Sequence, residues 1–397
     1  MDRYEISVQW ITGSQQIELN SAVSQPISIT NGRTDLTTSI AQNYASVTFL
    51  KSTLDTLLAA ESYIADSFSF GSLVVISYID PATSTAIPLF YGNVSDMGSD
   101  AYEITFSLLS NYVYKCNGLF PFTYAGVIDT VSTVVYEVLL QGGGGILMDD
   151  TTTASSTDVQ IPSAEITNSL AFLAPIVAQA PSNYLFPDPY RDGWVLAERP
   201  QPFPAIAITN SEVLRDYSID RSIDDVTNKV SVNYNPYGGP VATYTRTNTT
   251  SVGKIGTRFT ELTTQIVDFE IDAERLATWY LGAHAPAGFP LITFRTSAEL
   301  LETVGFSPTD IATDLQPNRV LDLTAVNATG FDDYAYIEQI RHTIDRSVWR
   351  IEIIASNASY SDLPQTWSQV TPSLLWDDVL NDPPNVVTWD DLLYTNL

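Results

Sequence analysis

The sequence predicts a mainly β chain, in which two antiparallel strand-rich blocks flank a small α+β insertion and an extended tail follows. Three observations carry that prediction. Apolar residues alternate with polar ones in successive runs over residues 1–116 and again over 206–359. Over 117–205 the spacing changes to that of helices mixed with one hairpin. Over 360–397, four prolines and repeated Trp-Asp-Asp pieces replace both patterns.

The first block opens with Ile6, Val8 and Trp10 alternating with polar neighbours, followed by Ile27 with Ile29 and by Val47 with Phe49. Between the last two pairs lies Asn31-Gly32-Arg33, and Asn-Gly predicts a turn there because both residues tolerate positive φ. Further strands are expected at Leu73–Ile79, Pro88–Val94 and Tyr102–Leu108, with one short helix over about 53–64. Such spacing suits an antiparallel barrel or sandwich of roughly six or seven strands.

In the insertion, Ile128, Val131, Val135, Val138 and Leu139 fall on one helical face, and Gly142 to Gly145 ends the run. Ser163 suits the N-cap of a second helix carrying Ile166, Leu170, Leu173 and Val177, which Pro175 should kink or shorten. Tyr184–Phe186 and Trp194–Leu196 flank Asp192-Gly193 as a hairpin. The second block starts at Ile206 and Ile208, and a strand at Lys229–Tyr234 leads into a turn at Pro236–Gly239. Asp272 is expected to cap one helix holding Leu276, Trp279 and Tyr280 and closed by Gly282. Strands at Leu291–Phe294, Tyr336–Ile344 and Val348–Ile354 complete the block. No residue-level repeat relates the two blocks, so a duplication rests on architecture alone.

Composition removes several function classes. The chain of 397 residues carries 46 acidic and 18 basic side chains, a net charge of −28. That field opposes a reader of nucleic acid, which needs a basic surface for phosphates. A single cysteine, Cys116, allows no internal disulfide and no CxxC site. Two distant histidines, His284 and His342, provide no HExxH motif. The N-terminus lacks the pattern of a signal peptide, and no run approaches the roughly 18 apolar residues of a membrane span. The sequons at Asn93, Asn248, Asn327 and Asn357 are expected by chance in a chain rich in Asn, Ser and Thr.

Candidate chemistry is sparse. Asp149-Asp150, Asp224-Asp225 and Asp332-Asp333 have the composition of a glycosidase pair, yet neighbours on a strand point to opposite faces. The loop over 149–158 lacks the calcium-loop spacing, and Gly142 to Gly145 lacks the Gly-Lys-Ser/Thr of a phosphate loop. Arg33 reads either as a turn residue or as a partner for an acid across a subunit boundary, and Cys116 as a reduced core residue. The tail is more distinctive. Its Trp367, Trp376, Asp377, Asp378, Trp389, Asp390, Asp391 and Leu392 are the candidate interaction residues, because large aromatic side chains dominate interface energetics. Docking on another subunit or protein is the reading taken, and folding back on the chain's own strands is the alternative.

The order of these segments resembles a known family. Gly32-Arg33-Thr34, the Val47-Thr48-Phe49 strand and Phe90-Tyr91-Gly92-Asn93-Val94 followed by Tyr102–Leu108 resemble the opening barrel of phage tail hub proteins. Ser222–Val230 looks like the entry to their second barrel. The Trp-Asp-Asp-Val/Leu endings are similar to those of minor tail proteins of long-tailed actinobacterial phages. The resemblance implies two tail-tube-like β-barrels (1–116 and 206–359), the α+β domain at 117–205 and a docking tail at 360–397. It further implies a trimer matching six barrels to a hexameric tail tube, a tail-tip location in the virion and no enzymatic role. The implied partners are tail-tube or distal tail proteins, a tape-measure protein and fibres, and DNA would pass through an acidic conduit without specific binding. No cofactor or metal is called for. A receptor- or carbohydrate-binding adhesion protein is the alternative, with Trp194 or Trp279 as a sugar platform, and a cell-wall hydrolase ranks third.

Overall fold

The computed structural model describes residues 3–12, 15–33, 40–60, 70–110, 121–141, 158–161, 163–179, 183–188, 193–198, 205–208, 216–219, 226–236, 239–264, 269–284, 291–323 and 334–357. The expected strands of the first block all form, and β2 adds to them. They are β1 (Glu5–Thr12), β2 (Gln15–Glu18), β3 (Ile27–Gly32), β4 (Tyr44–Leu50), β5 (Leu73–Ile79), β6 (Ala86–Ser99) and β7 (Glu103–Ser110). Helix α1 (Lys51–Ala60) buries Leu54 and Leu58 beneath them. Alternation is clean in β7, where Phe106 and Leu108 point inward and Thr105 and Ser107 outward.

The insertion contains β8 (Phe122–Tyr124), β9 (Val127–Thr130), α2 (Val131–Gln141), β10 (Asp158–Ile161), β11 (Ala164–Ile166), α3 (Ser169–Gln179), β12 (Asn183–Pro187) and β13 (Trp194–Glu198). The hairpin forms as expected, with Leu185 opposite Leu196. Some expectations need correction. Ile128 and Ile166, expected on the helices, lie in strands β9 and β11. Helix α3 starts after Asn168, whose Oδ1 accepts from the Ala171 amide, while Ser163 donates to the Tyr124 carbonyl instead. Pro175 sits inside α3 without ending it. Helices α2 and α3 build a core of their own around Val135, Val138, Leu173 and the fully buried Trp194.

The second block runs β14 (Ile206–Ala207), β15 (Asp216–Ile219), β16 (Lys229–Tyr234), β17 (Ala242–Thr247), α4 (Thr249–Ile255), β18 (Phe259–Thr263), α5 (Glu270–His284), β19 (Ile292–Ser297), α6 (Ala298–Glu302), α7 (Pro308–Asp314), β20 (Val320–Asp322), β21 (Tyr334–Ile344) and β22 (Trp349–Asn357). Gly239 donates to the Pro236 carbonyl at 2.8 Å, closing the expected turn. Asp272 lies in the first turn of α5 rather than at its cap, where its charge suits the positive helix end, and the helix continues past Gly282. Strands β17, β16 and β18 form a separate three-stranded sheet, and α5 packs Leu276, Ala277 and Leu281 against Val230 and Val232. Short helices α6 and α7 add to the elements expected from the sequence. Ser297 caps the first, and Ser307 with Asp310 forms a capping box on the second.

Pairing between the blocks is the main finding. The strands run β15-β19-β22-β21-β3-β4-β7-β6-β5-β1-β2 in one 13-stranded sheet, with β14 and β20 attached beside β21. The two blocks are therefore continuous through β3 and β21, whose register sets Ile29 opposite His342 and Gly32 opposite Gln339. One hydrophobic cluster spans both, from Val8, Phe49 and Phe106 to Phe294, Ile340 and Trp349. The N-terminus reinforces the join. Tyr4 meets Trp349 edge-on at 5.7 Å, and Arg3 pairs with Glu302 on α6 at 2.7 Å.

Candidate functional site

The seam where β3 meets β21 is built from a break in alternation. A bulge between Ile337 and Gln339 passes over Glu338 in the β21–β22 register, and its side chain is buried. Asn31 and Gly32, expected as a turn, instead end strand β3, and both pack against the second block's side of the join. Gly32 has φ +103°, which lets Arg33 turn under β21. The Arg33 amide donates to the Glu338 carbonyl at 2.8 Å, and its Nε donates to Glu338 Oε2 at 2.6 Å. Both side chains are buried, at 3% and 2% exposure, so this is an internal ion pair between residues 305 positions apart. Ser356 Oγ donates to the other carboxylate oxygen.

The insertion reaches the same place. Asn43 accepts from the Gly32 amide at 3.0 Å through Oδ1 and donates to the Pro187 carbonyl at 3.0 Å through Nδ2. The Ala41 amide donates to the Leu185 carbonyl at 2.9 Å. First block, second block and insertion thus share one buried polar junction, and their mutual geometry is fixed there.

Outward of that junction the sheet presents a polar face. Across five strands, Asp216, Arg295, Glu352, Arg341 and Thr30 stand directly opposite one another in register. Arg295 lies 3.6 Å from Asp216 and 2.9 Å from Glu352, and Arg341 lies 3.4 Å from both Glu352 and Thr30 Oγ1. The alternating charges cancel along the row, so this stretch of face is locally neutral in a strongly acidic chain. A parallel row carries five hydroxyls, Ser297, Thr343, Ser28, Ser46 and Ser107, with Arg350 and Asp96 in the same row. Small hydroxyls beside compensated charges favour hydrogen bonding to a polar partner over burial of an apolar one.

One histidine is part of the core beneath. His342 is fully buried, and the Trp349 indole N–H donates to its Nδ1 at 3.1 Å. An indole N–H is only a donor, so Nδ1 must be unprotonated and the proton sits on Nε2. Burial lowers the imidazole pKa to about 4. Because the folded value lies below the unfolded one, the stability is present above about pH 6.5 and is lost as pH falls toward 4. We expect the urea-unfolding free energy to drop by about 3 kcal/mol across that window, with the slope between pH 6.5 and 5 reduced in His342→Gln. Equal slopes in the two proteins would show that His342 is not the responsible group.

The other sequence-derived candidates fare as follows. Trp367, Trp376, Asp377, Asp378, Trp389, Asp390, Asp391 and Leu392 all lie outside the described residues, as do Cys116, Gly142 to Gly145 and the three aspartate pairs. Trp194 is fully buried, so it is not a sugar platform. Trp279 on α5 is half-buried against the core of the small sheet. His284 stacks on Tyr280 at 4.1 Å and contacts its carbonyl through Nδ1. Arg33 has the acidic partner considered for it, but within the chain. Sequence reasoning misses that partner, Glu338, because it stands beside Gln339 in a strand that also holds Arg341, His342 and Thr343, so nothing local marks it. Among the described residues, no group of three or more His, Cys, Asp or Glu is placed to hold a metal ion, and no helix is long and apolar enough to cross a membrane.

Comparison with solved structures decides the fold. The chain aligns with a tail protein from Neisseria meningitidis MC58 at TM-score 0.60 and 12% identity, covering 90% of this chain and 98% of that one. The fold is similar to that of solved tail proteins. A 43 kDa tail protein of prophage MuSo2 from Shewanella oneidensis aligns at TM-score 0.56 and 12% identity, over 90% and 99% of the two chains. Prophage tail protein gp18 from Listeria monocytogenes EGD-e aligns at 0.52 and 12%, over 89% and 94%. No protein-family model and no curated protein matches the chain. The tail proteins come from three different bacterial hosts, so the likeness lends no support to an actinobacterial one. It spans both strand blocks and the insertion.

Proposed function

We propose that this chain is a structural subunit of a phage tail, placed at the tail tip as a hub. The observation that carries the reading is the end-to-end alignment with solved tail proteins, 90% of this chain against 98% of the Neisseria protein. In this reading the blocks at 1–116 and 206–359 are the two tube-like barrels. Three copies adapt to a hexameric tail tube and contact distal tail, tape-measure and fibre proteins, and DNA passes through the ring. The role is assembly and passage, with no catalytic step. The rigid seam supports it, because a ring adaptor must hold two strand blocks at one fixed angle.

The tail from residue 360 is the docking arm of this reading, with Trp367, Trp376 and Trp389 as anchors and the flanking aspartates as steering charges. Two measurements test it. Mass determination at high concentration is expected to find trimers that capture tail-tube protein, and a strict monomer that captures none counts against a hub. A chain ending at residue 360 is expected to keep its thermal unfolding midpoint and lose trimer formation. Loss of the cooperative transition itself would show instead that the tail belongs to the chain's own fold.

A further inference from the structure

Residues 226–260 hold four basic side chains, Lys229, Arg246, Lys254 and Arg258, and no Asp or Glu. In a chain of net charge −28, this is the reverse of the prevailing composition. The segment builds β16, β17, α4 and the start of β18, and the fold gathers three of its four charges at one end of that small sheet. Lys229 opens β16 and lies opposite Phe259 in register. The Lys229 amide donates to the Arg258 carbonyl at 3.0 Å. Asn228 ties the corner together, donating to the Gly256 carbonyl at 2.7 Å and accepting from the Arg258 amide at 2.7 Å. Lys254 lies in the last turn of α4, two residues before Gly256.

The two lysines of this corner are available. Arg246 is not, since it faces α5 and lies 3.4 Å from Glu274. Neither Lys229 nor Lys254 has an acidic partner among the described residues. The nearest acid on the same strand as Phe259, Glu261, is held by Asn233 farther along the sheet. Phe259 is 53% exposed, and Lys229 Nζ sits 5.9 Å from its ring centroid. An exposed aromatic ring beside these two lysines suits a ligand that is both acidic and aromatic.

The same chain contains such a segment. Residues 360–397 carry six aspartates and no Lys or Arg, and two of their three tryptophans are each followed by an aspartate pair. We propose that the corner formed by Lys229, Lys254, Arg258 and Phe259 is the dock for the Trp376-Asp377-Asp378 and Trp389-Asp390-Asp391 pieces of a neighbouring copy. Each copy then offers one arm and one corner. Passed head to tail from copy to copy, such a contact closes a ring of three where the rotation between copies is a third of a turn. The inference rests on the hub reading and names its intersubunit contact.

The test uses the full chain with a photo-crosslinking phenylalanine analogue at position 376 or 389, mixed with an isotope-heavy copy that lacks the label. The expected result is crosslinked peptides joining the light tail to heavy residues 226–260, with yield falling about tenfold in Lys229→Glu/Lys254→Glu. Pairing that variant with Asp377→Lys/Asp378→Lys should restore the yield, an outcome that simple misfolding does not produce. Crosslinks that stay within the light copy, or fall outside 226–260, overturn the proposal while any trimers found leave the hub reading intact. A strict monomer sinks both. A short duplex DNA retained by this corner at physiological salt, lost in the charge-reversed variant and accompanied by no tail crosslink, overturns the dock in favour of a phosphate-binding surface.

Discussion

Glu338→Ala is expected to destabilise the chain by about 3–5 kcal/mol, because it takes the paired carboxylate away from the buried Arg33 guanidinium. Both side chains are almost fully excluded from solvent, so water does not take over the lost contact. The carboxylate also accepts from Ser356, and the vacated space is lined by the β3–β21 join, so the loss falls on the pairing that unites the two blocks. Equilibrium unfolding in urea measures it. The double variant Arg33→Met/Glu338→Met separates pair removal from charge stranding. Replacing a buried ion pair by apolar groups of similar volume is often neutral, so the double variant should recover most of the loss. Equal destabilisation of single and double variants would mean that the pair itself, and not the stranded charge, supplies the stability.

This seam shows where sequence reading stops. Local alternation is enough to find β1, β3, β4, β5, β6 and β7, because each strand buries one face and its side-chain period is two. Alternation says nothing about which strand pairs with which when nearly the whole chain separates them. It fails altogether at Glu338, where a bulge places consecutive residues inward. Asn31-Gly32 misleads for a related reason. The positive φ expected at Gly32 is there, but close approach of another strand, rather than a hairpin turn, is what requires it. The capping differences at Ser163 and Asp272 are shifts within the first turn or two of a helix, where several polar side chains compete to satisfy the same amides. The Ser307–Asp310 capping box, by contrast, is legible as a local motif, but α7 is too short to show the helical periodicity that would draw attention to it. The candidate sites divide in the same way. Composition isolates the tail, while the junction of Arg33, Glu338 and Asn43 depends on three distant segments meeting and has no local signature.

Gly32→Ala is the sharper probe of that junction, with an expected cost of roughly 3–5 kcal/mol. Two effects contribute, and other glycines of the chain separate them. An added Cβ at position 32 would lie 2.1 Å from the Glu338 carbonyl oxygen and 2.8 Å from the Gln339 Cα, both backbone atoms that no rotamer change can move. The φ of +103° adds its own strain for any residue with a Cβ. Gly305 has nearly the same φ, +99°, but an added Cβ there would meet nothing within 4 Å, so Gly305→Ala reports the conformational cost alone, about 1 kcal/mol. Gly98 has neither feature, and Gly98→Ala should be close to neutral. If Gly32→Ala costs no more than Gly305→Ala, the strands yield freely and the seam does not hold the blocks at a fixed angle. If the excess is large, amide exchange should rise selectively at Ile29, Asn31, Ile340 and His342, the residues that knit β3 to β21. A hub that must keep two strand blocks in register with a tube can tolerate loosening of its exposed loops, but not of this pairing.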